Sequence, residues 1–139
     1  MLRKILVALD GSDQSFVALE NALDIAVGCR VAEMEVMTVV PTYAVIGVPP
    51  MNVDKAEKYA QDTVAKAVKV AKERVPGILV KTKVVDGHPA QMIVQEARDG
   101  KYDLIVVGRG GHGGVPKNEL GSVSRRVVEQ ATIPVLVIK

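Results

Sequence analysis

The chain of 139 residues has no tryptophan, one phenylalanine, three tyrosines and one cysteine. Aromatic side chains at 3% leave nothing like the platforms on which single-stranded nucleic acids stack. Eighteen Lys and Arg stand against sixteen Asp and Glu, a formal charge of +2, so there is no polybasic field either. Nucleic acid is therefore not expected as the main partner. Cys29, being alone, cannot form an internal disulfide and fits a reducing compartment. No apolar run approaches the roughly 20 residues of a membrane span. The apolar part of MLRKILVALDGS is too brief for a signal-peptide core. The expectation is a cytoplasmic protein with no membrane partner.

What is present is 48% hydrophobic and 24% charged sequence, enough for one soluble domain over residues 1–139, since chains of this size bury roughly two thirds of their surface. Short β-branched runs fall at Ile5 to Leu9, Met34 to Val40, Leu79 to Val85, Leu104 to Val107 and Val135 to Ile138, and read as five strands. Between them Phe16, Leu19, Leu23 and Ala26 recur at helical spacing, as do Ala56, Ala60, Val64, Ala67, Ala71 and Val75. Pro89, after His88, opens a third helix through Ala97, and Val123 to Gln130 forms a fourth. Strict alternation of strands and helices predicts an α/β fold: a doubly wound parallel sheet with helices on both faces. Lys81 and Lys83 mark the third strand as an edge. The uncharged VLVI of the last strand is expected at the opposite edge, where something should cover it. Pro41 to Asn52, PTYAVIGVPPMN, has three prolines and no helical period, and reads as a surface loop or a flap over a site.

After the fourth strand come five glycines in seven residues, Gly108 to Gly114, and a sixth, Gly121, just before the last helix. Ligands of open parallel sheets settle beyond the strand ends where the winding direction reverses, between the first and fourth strands. The Gly121-Ser122-Val123-Ser124 helix start would turn N–H groups and hydroxyls toward that crevice, an arrangement suited to phosphate. Bare backbone at 111 or 121 lets oxygen atoms approach the main chain. The spacing is neither a P-loop nor a Rossmann GxGxxG. It is G-2x-G-9x-G-S, formed by Gly108, Gly111, Gly121 and Ser122.

That pattern resembles the ATP-binding signature of the universal stress protein family. The likeness spans the chain: KILVALDGSDQS, DGHPAQMIVQEA, YDLIVVGRGG and LGSVSRRVVEQATIPVLVI. The resemblance implies strand order 3-2-1-4-5, ATP with Mg at the switch point, and homodimers joined through Val135 to Ile138. It implies that Asp10 contacts the ribose or a metal-linked phosphate, that Ala8 and Leu9 border the adenine, and that the backbone of Val39 reads its edge. Gly108, Gly111, Gly121, Ser122 and Ser124 would hold ribose and phosphates, with Val107, Gly110 and Val123 completing the set. Arg109, Gly113-Gly114 and His88 depart from the family's pattern.

Plainer readings stand beside these. Asp10, Ser122 and Ser124 could be helix caps. His112 lacks a paired carboxylate and reads as a solvent-facing loop residue, and two histidines give no zinc spacing. Arg109, Lys117, Arg125 and Arg126 read as solvated charges, unless Arg109 or Lys117 reaches a phosphate. No catalytic residue is assigned, because no general base has a second polar partner to position it. The favoured reading is an ATP-binding stress-response or regulatory protein with little or no hydrolysis alone. The alternatives are an ATP-hydrolysing or nucleotidyl-transferring enzyme of the related nucleotide-hydrolase superfamily, and a module that has lost its nucleotide.

Overall fold

The computed structural model describes residues 1–42, 53–110 and 119–139. Nine elements follow one another: β1 (Lys4–Ala8), α1 (Asp13–Cys29), β2 (Glu33–Pro41), α2 (Val53–Arg74), β3 (Leu79–Gly87), α3 (Pro89–Asp99), β4 (Leu104–Gly108), α4 (Ser122–Gln130) and β5 (Val135–Ile138). The five strands form one parallel sheet in the order β3-β2-β1-β4-β5, so both edges are the expected ones. Glu33 and Pro41 extend β2 by one residue at each end of the apolar run, and β3 runs on to Gly87.

The central strands read as unbroken apolar runs because both of their faces are covered. Ile5 and Val7 of β1 point toward α1 and α2 and join Leu19, Leu23, Met34, Val36 and Val106 in one core. Leu6, between them, points the other way into a second core with Met37, Ile93, Ile105 and Val127, under α3 and α4. Ile5, Leu6 and Val7 are all fully buried, and removing each such side chain from water contributes about 1.5–3 kcal/mol.

Helix starts follow local chemistry. The α1 cap is Ser12, whose Oγ accepts from the Ser15 N–H at 3.2 Å, and not Asp10. Pro89 opens α3 as expected. Cys29 ends α1 as an exposed free thiol, and Arg30 follows it in left-handed backbone at φ 56°. Lys81 and Lys83 do not simply point into water. Lys81 pairs with Glu33 at 2.7 Å and Lys83 with Glu96 at 2.5 Å, so the edge lysines are also ties to β2 and α3. Among the described residues no helix is long and apolar enough to cross a membrane.

Candidate functional site

The sheet forks at its C-terminal end. Pairing between β1 and β4 stops at Ala8 and Val107. Beyond it the Leu9 N–H donates to Met37 O at 2.8 Å on β2, while the Arg109 N–H donates to Ile138 O at 2.8 Å on β5. The two middle chains are thus drawn to opposite sides, and a cleft of about 910 Å³ opens between them. Its floor includes Ala8, Leu9, Val107 and Gly108, and β2 contributes Met37 to Pro41. Strand geometry turns the Val39 backbone N–H and C=O to the same side as those of Met37, which is the side of the fork.

The far wall is the start of α4. The first i to i−4 bond of this helix is Arg125 N–H to Gly121 O at 3.0 Å, so the N–H groups of Ser122, Val123 and Ser124 have no partner within the helix. These residues line the cleft, and no acidic residue lies in the first turn to neutralise the positive end of the dipole. Gly121 caps the helix, so neither serine is the N-cap. The Gly121 N–H is taken by Arg109 O at 2.9 Å. The fully enclosed Ser124 hydroxyl donates to the same oxygen at 2.6 Å. Gly121 and Ser124 therefore tie the helix to the chain leaving β4, and Ser122 is the exposed hydroxyl of the pair. Gly110 stands between them and β4 with φ 73°, a left-handed position that glycine adopts without strain.

At the near wall Asp10 is exposed, and its Oδ1 accepts from the Ser12 N–H at 2.9 Å and the Ser12 hydroxyl at 2.5 Å. This closes a tight turn in which Gly11 has φ 87°. The carboxylate is thereby held at the cleft mouth by the residue that also caps α1.

Of the residues expected at a site, Ala8, Leu9, Asp10, Val39, Val107, Gly108, Gly110, Ser122, Val123 and Ser124 line this one cleft. Gly121 stands behind them as the cap. Gly111, with His112, Gly113, Gly114 and Lys117, lies outside the described residues, as does most of the Pro41 to Asn52 segment. Arg109 corrects the reading of a solvated charge: it is buried, its backbone carries three of the hydrogen bonds just given, and its Nη1 donates to Glu119 O at 3.5 Å. Arg125 and Arg126 are exposed, as read.

Sequence reasoning missed the α2 contribution. Lys55, Ala56, Tyr59 and Ala60 line the cleft beside Thr38 of β2 and Pro89 and Ile93 of α3. The Ala56 and Ala60 spacing was a usable signal, because small side chains on a helix leave room against the strand they face. Thr38 is buried, and its Oγ1 has no hydrogen-bond partner among the described residues. Asp10 and Lys55 are the charged side chains that line the cleft among those residues.

A family model described as the Universal stress protein family matches residues 1–139. A universal stress protein of Methanocaldococcus jannaschii is 35% identical over 144 residues, covering 100% of this chain and 83% of the relative. Universal stress protein YxiE of Bacillus subtilis is 34% identical over 149 residues, covering both chains fully. A crystal structure of a universal stress protein in complex with cAMP superimposes with a TM-score of 0.76 at 26% identity, covering 99% of this chain and 97% of that one.

Proposed function

Because the chain belongs to the universal stress protein family, we propose that it is a cytoplasmic regulatory protein whose 139-residue domain binds ATP at the fork of the sheet. The observation that carries this reading is the cleft itself: three residues whose N–H groups have no partner within α4 line a volume of about 910 Å³ together with the Asp10 turn. In this reading the Val39 backbone meets the adenine, Asp10 the ribose side, and Ser122 to Ser124 the phosphates. The relative crystallised with cAMP supports an adenine nucleotide as the ligand class. Mg would arrive on the phosphates, and Asp10 is the carboxylate that could meet it. No group of three or more metal-binding side chains that could hold an ion occurs among the described residues.

Binding is expected to outrun chemistry. Rapid phosphoryl transfer needs positioned cations and a group that orients the nucleophile, whereas the described lining offers one carboxylate and one lysine. A steady-state ATPase rate above about one per second would place the protein among ordinary enzymes and overturn this part. The same proposal includes a homodimer through β5, supported by the half-buried edge of Val135 to Ile138. Sedimentation should show a dimer, and Val137→Pro a monomer.

The test of binding is thermal unfolding of nucleotide-free protein with Mg-ATP. Ligand at a hundred times Kd stabilises by about 2.7 kcal/mol. Ser122→Asp separates binding from folding: a carboxylate at the first position of α4 suits the helix dipole but repels phosphate. Its own Tm should hold or rise slightly while the shift with ATP disappears. Wild-type protein that gives no shift ends the proposal.

A further inference from the structure

Tyr59 belongs to neither core, and the family signature does not include it. It stands on α2, half-exposed, and lines the cleft. Its phenol crosses from α2 to the β1–α1 turn: a Cβ built on Gly11 would lie 2.2 Å from the Tyr59 hydroxyl and 2.5 Å from its ring. Gly11 is thus the seat of the phenol as well as a left-handed turn residue at φ 87°. The hydroxyl lies on the same turn that presents the Asp10 carboxylate, and it makes no hydrogen bond to the described residues.

The chemistry of the two groups is complementary. A carboxylate only accepts hydrogen bonds, and Asp10 Oδ1 already takes two from Ser12. A phenol both donates and accepts. The two hydroxyls of a vicinal diol can both donate to a carboxylate, and a phenol beside it can donate to a diol oxygen that the carboxylate leaves without a donor, so the pair satisfies more of the diol than a carboxylate alone. Between adenine and phosphates, the part of a nucleotide that carries such a diol is the ribose.

We propose that Tyr59 reads the sugar, its hydroxyl bonding the ribose diol across the Asp10–Ser12 turn. This selects ribonucleotides over nucleotides that lack the diol. The inference rests on the nucleotide-binding reading above and adds a residue from α2 to it. Tyr59 acts in binding and not in any bond-breaking step.

The experiment compares ATP with 2′,3′-dideoxy-ATP by calorimetry on wild type and Tyr59→Phe. Wild type should bind ATP more tightly. Tyr59→Phe should weaken ATP by about three- to tenfold, the worth of one neutral hydrogen bond, and leave the dideoxy analogue unchanged. If the variant weakens both nucleotides equally, the ring acts by packing and the sugar-reading role is wrong. If neither nucleotide changes, Tyr59 is not in the site. If wild type binds neither, the nucleotide reading fails first and this one with it.

Discussion

At the end of the sheet where the strands begin, charges are paired. Lys4 and Lys81 converge on Glu33 at 3.2 and 2.7 Å, and further along β3, in register with Met37, Lys83 pairs with Glu96 of α3 at 2.5 Å. Lys4 also lies over the Tyr102 ring, 4.6 Å from its centre. Beneath them Glu35 is buried on β2, with one oxygen accepting from the Tyr102 hydroxyl at 2.6 Å. At the end where the strands finish, the described cleft is lined by backbone, small side chains and two charged groups, Asp10 and Lys55. The first end pairs charges with one another and leaves Glu35 Oε1 buried without a hydrogen-bond partner among the described residues. The second leaves the first N–H groups of α4 without partners in the helix, and the Thr38 hydroxyl without one among the described residues. With the proposed site at the second end, substitutions at the two ends should separate in what they change, stability at the first and binding at the second.

The largest expected effect is at the paired end. Tyr102→Phe takes away the hydrogen bond that Glu35 accepts from the phenol, and a buried carboxyl that loses it should cost about 1–3 kcal/mol in urea unfolding. The ATP-induced stabilisation, expressed relative to the variant's own baseline, should be unchanged. A variant that lost nucleotide affinity as well would break the comparison. Ser12→Ala, at the open end, should cost about 1 kcal/mol by removing the α1 cap. It should also weaken nucleotide binding, because Asp10 loses the Ser12 hydroxyl that holds it.

The finest test is by pH. Burial holds the Glu35 carboxyl above the usual carboxylate value, with nearby Glu96 acting in the same sense; the Tyr102 hydrogen bond and Lys83 oppose it. Protonated Glu35 therefore favours the folded state. That contribution is complete below the ordinary value of 4.5 and is lost as pH rises through the raised folded value. Glu33 is held low first by Lys81, and Asp103 by the Arg3 and Lys4 N–H groups. Their contributions run the other way, present above the ordinary values and lost as pH falls through the lowered ones. Glu35→Gln should abolish the decline in urea midpoint that sets in as pH rises above 4.5 and leave the acid limb in place. An unchanged profile would show that Glu35 is not the titrating group.

The open end was the more legible of the two in the sequence. Its glycines, its helix-start serines and Asp10 lie in short contiguous stretches, where spacing alone points to turns and exposed backbone. The strand order was legible at its edges through Lys81 and Lys83 and the uncharged VLVI. The paired end was not, because Tyr102 and Glu35 are 67 residues apart, and nothing in EMEVMT tells a buried Glu35 from an exposed one. Arg109 misled for a related reason: a cation in a glycine-rich loop reads as solvated, yet its backbone ties to β5 and α4 carry its side chain inside. Tyr59 was hidden by the segment before α2, whose irregular sequence conceals where the helix starts and which face turns to the cleft. Local chemistry shows in sequence, and chemistry assembled across the sheet does not.

The Asp103 carboxylate, which accepts the Arg3 and Lys4 N–H groups at 2.9 and 3.0 Å, bears on the order in which this chain can fold. β1 is made before the other four strands of this sheet and is its middle one, and the partners on its two sides begin only at Glu33 and Leu104. While the ribosome has released β1 and β2 alone, Ile5, Leu6 and Val7 keep one whole edge without a neighbour. That edge closes only across a loop of about a hundred residues, a connection slow to form because its contacts are so distant in sequence. The growing chain therefore carries an apolar, half-paired strand until β4 emerges, and Asp103, 99 residues beyond Lys4, fastens the front of the sheet only then.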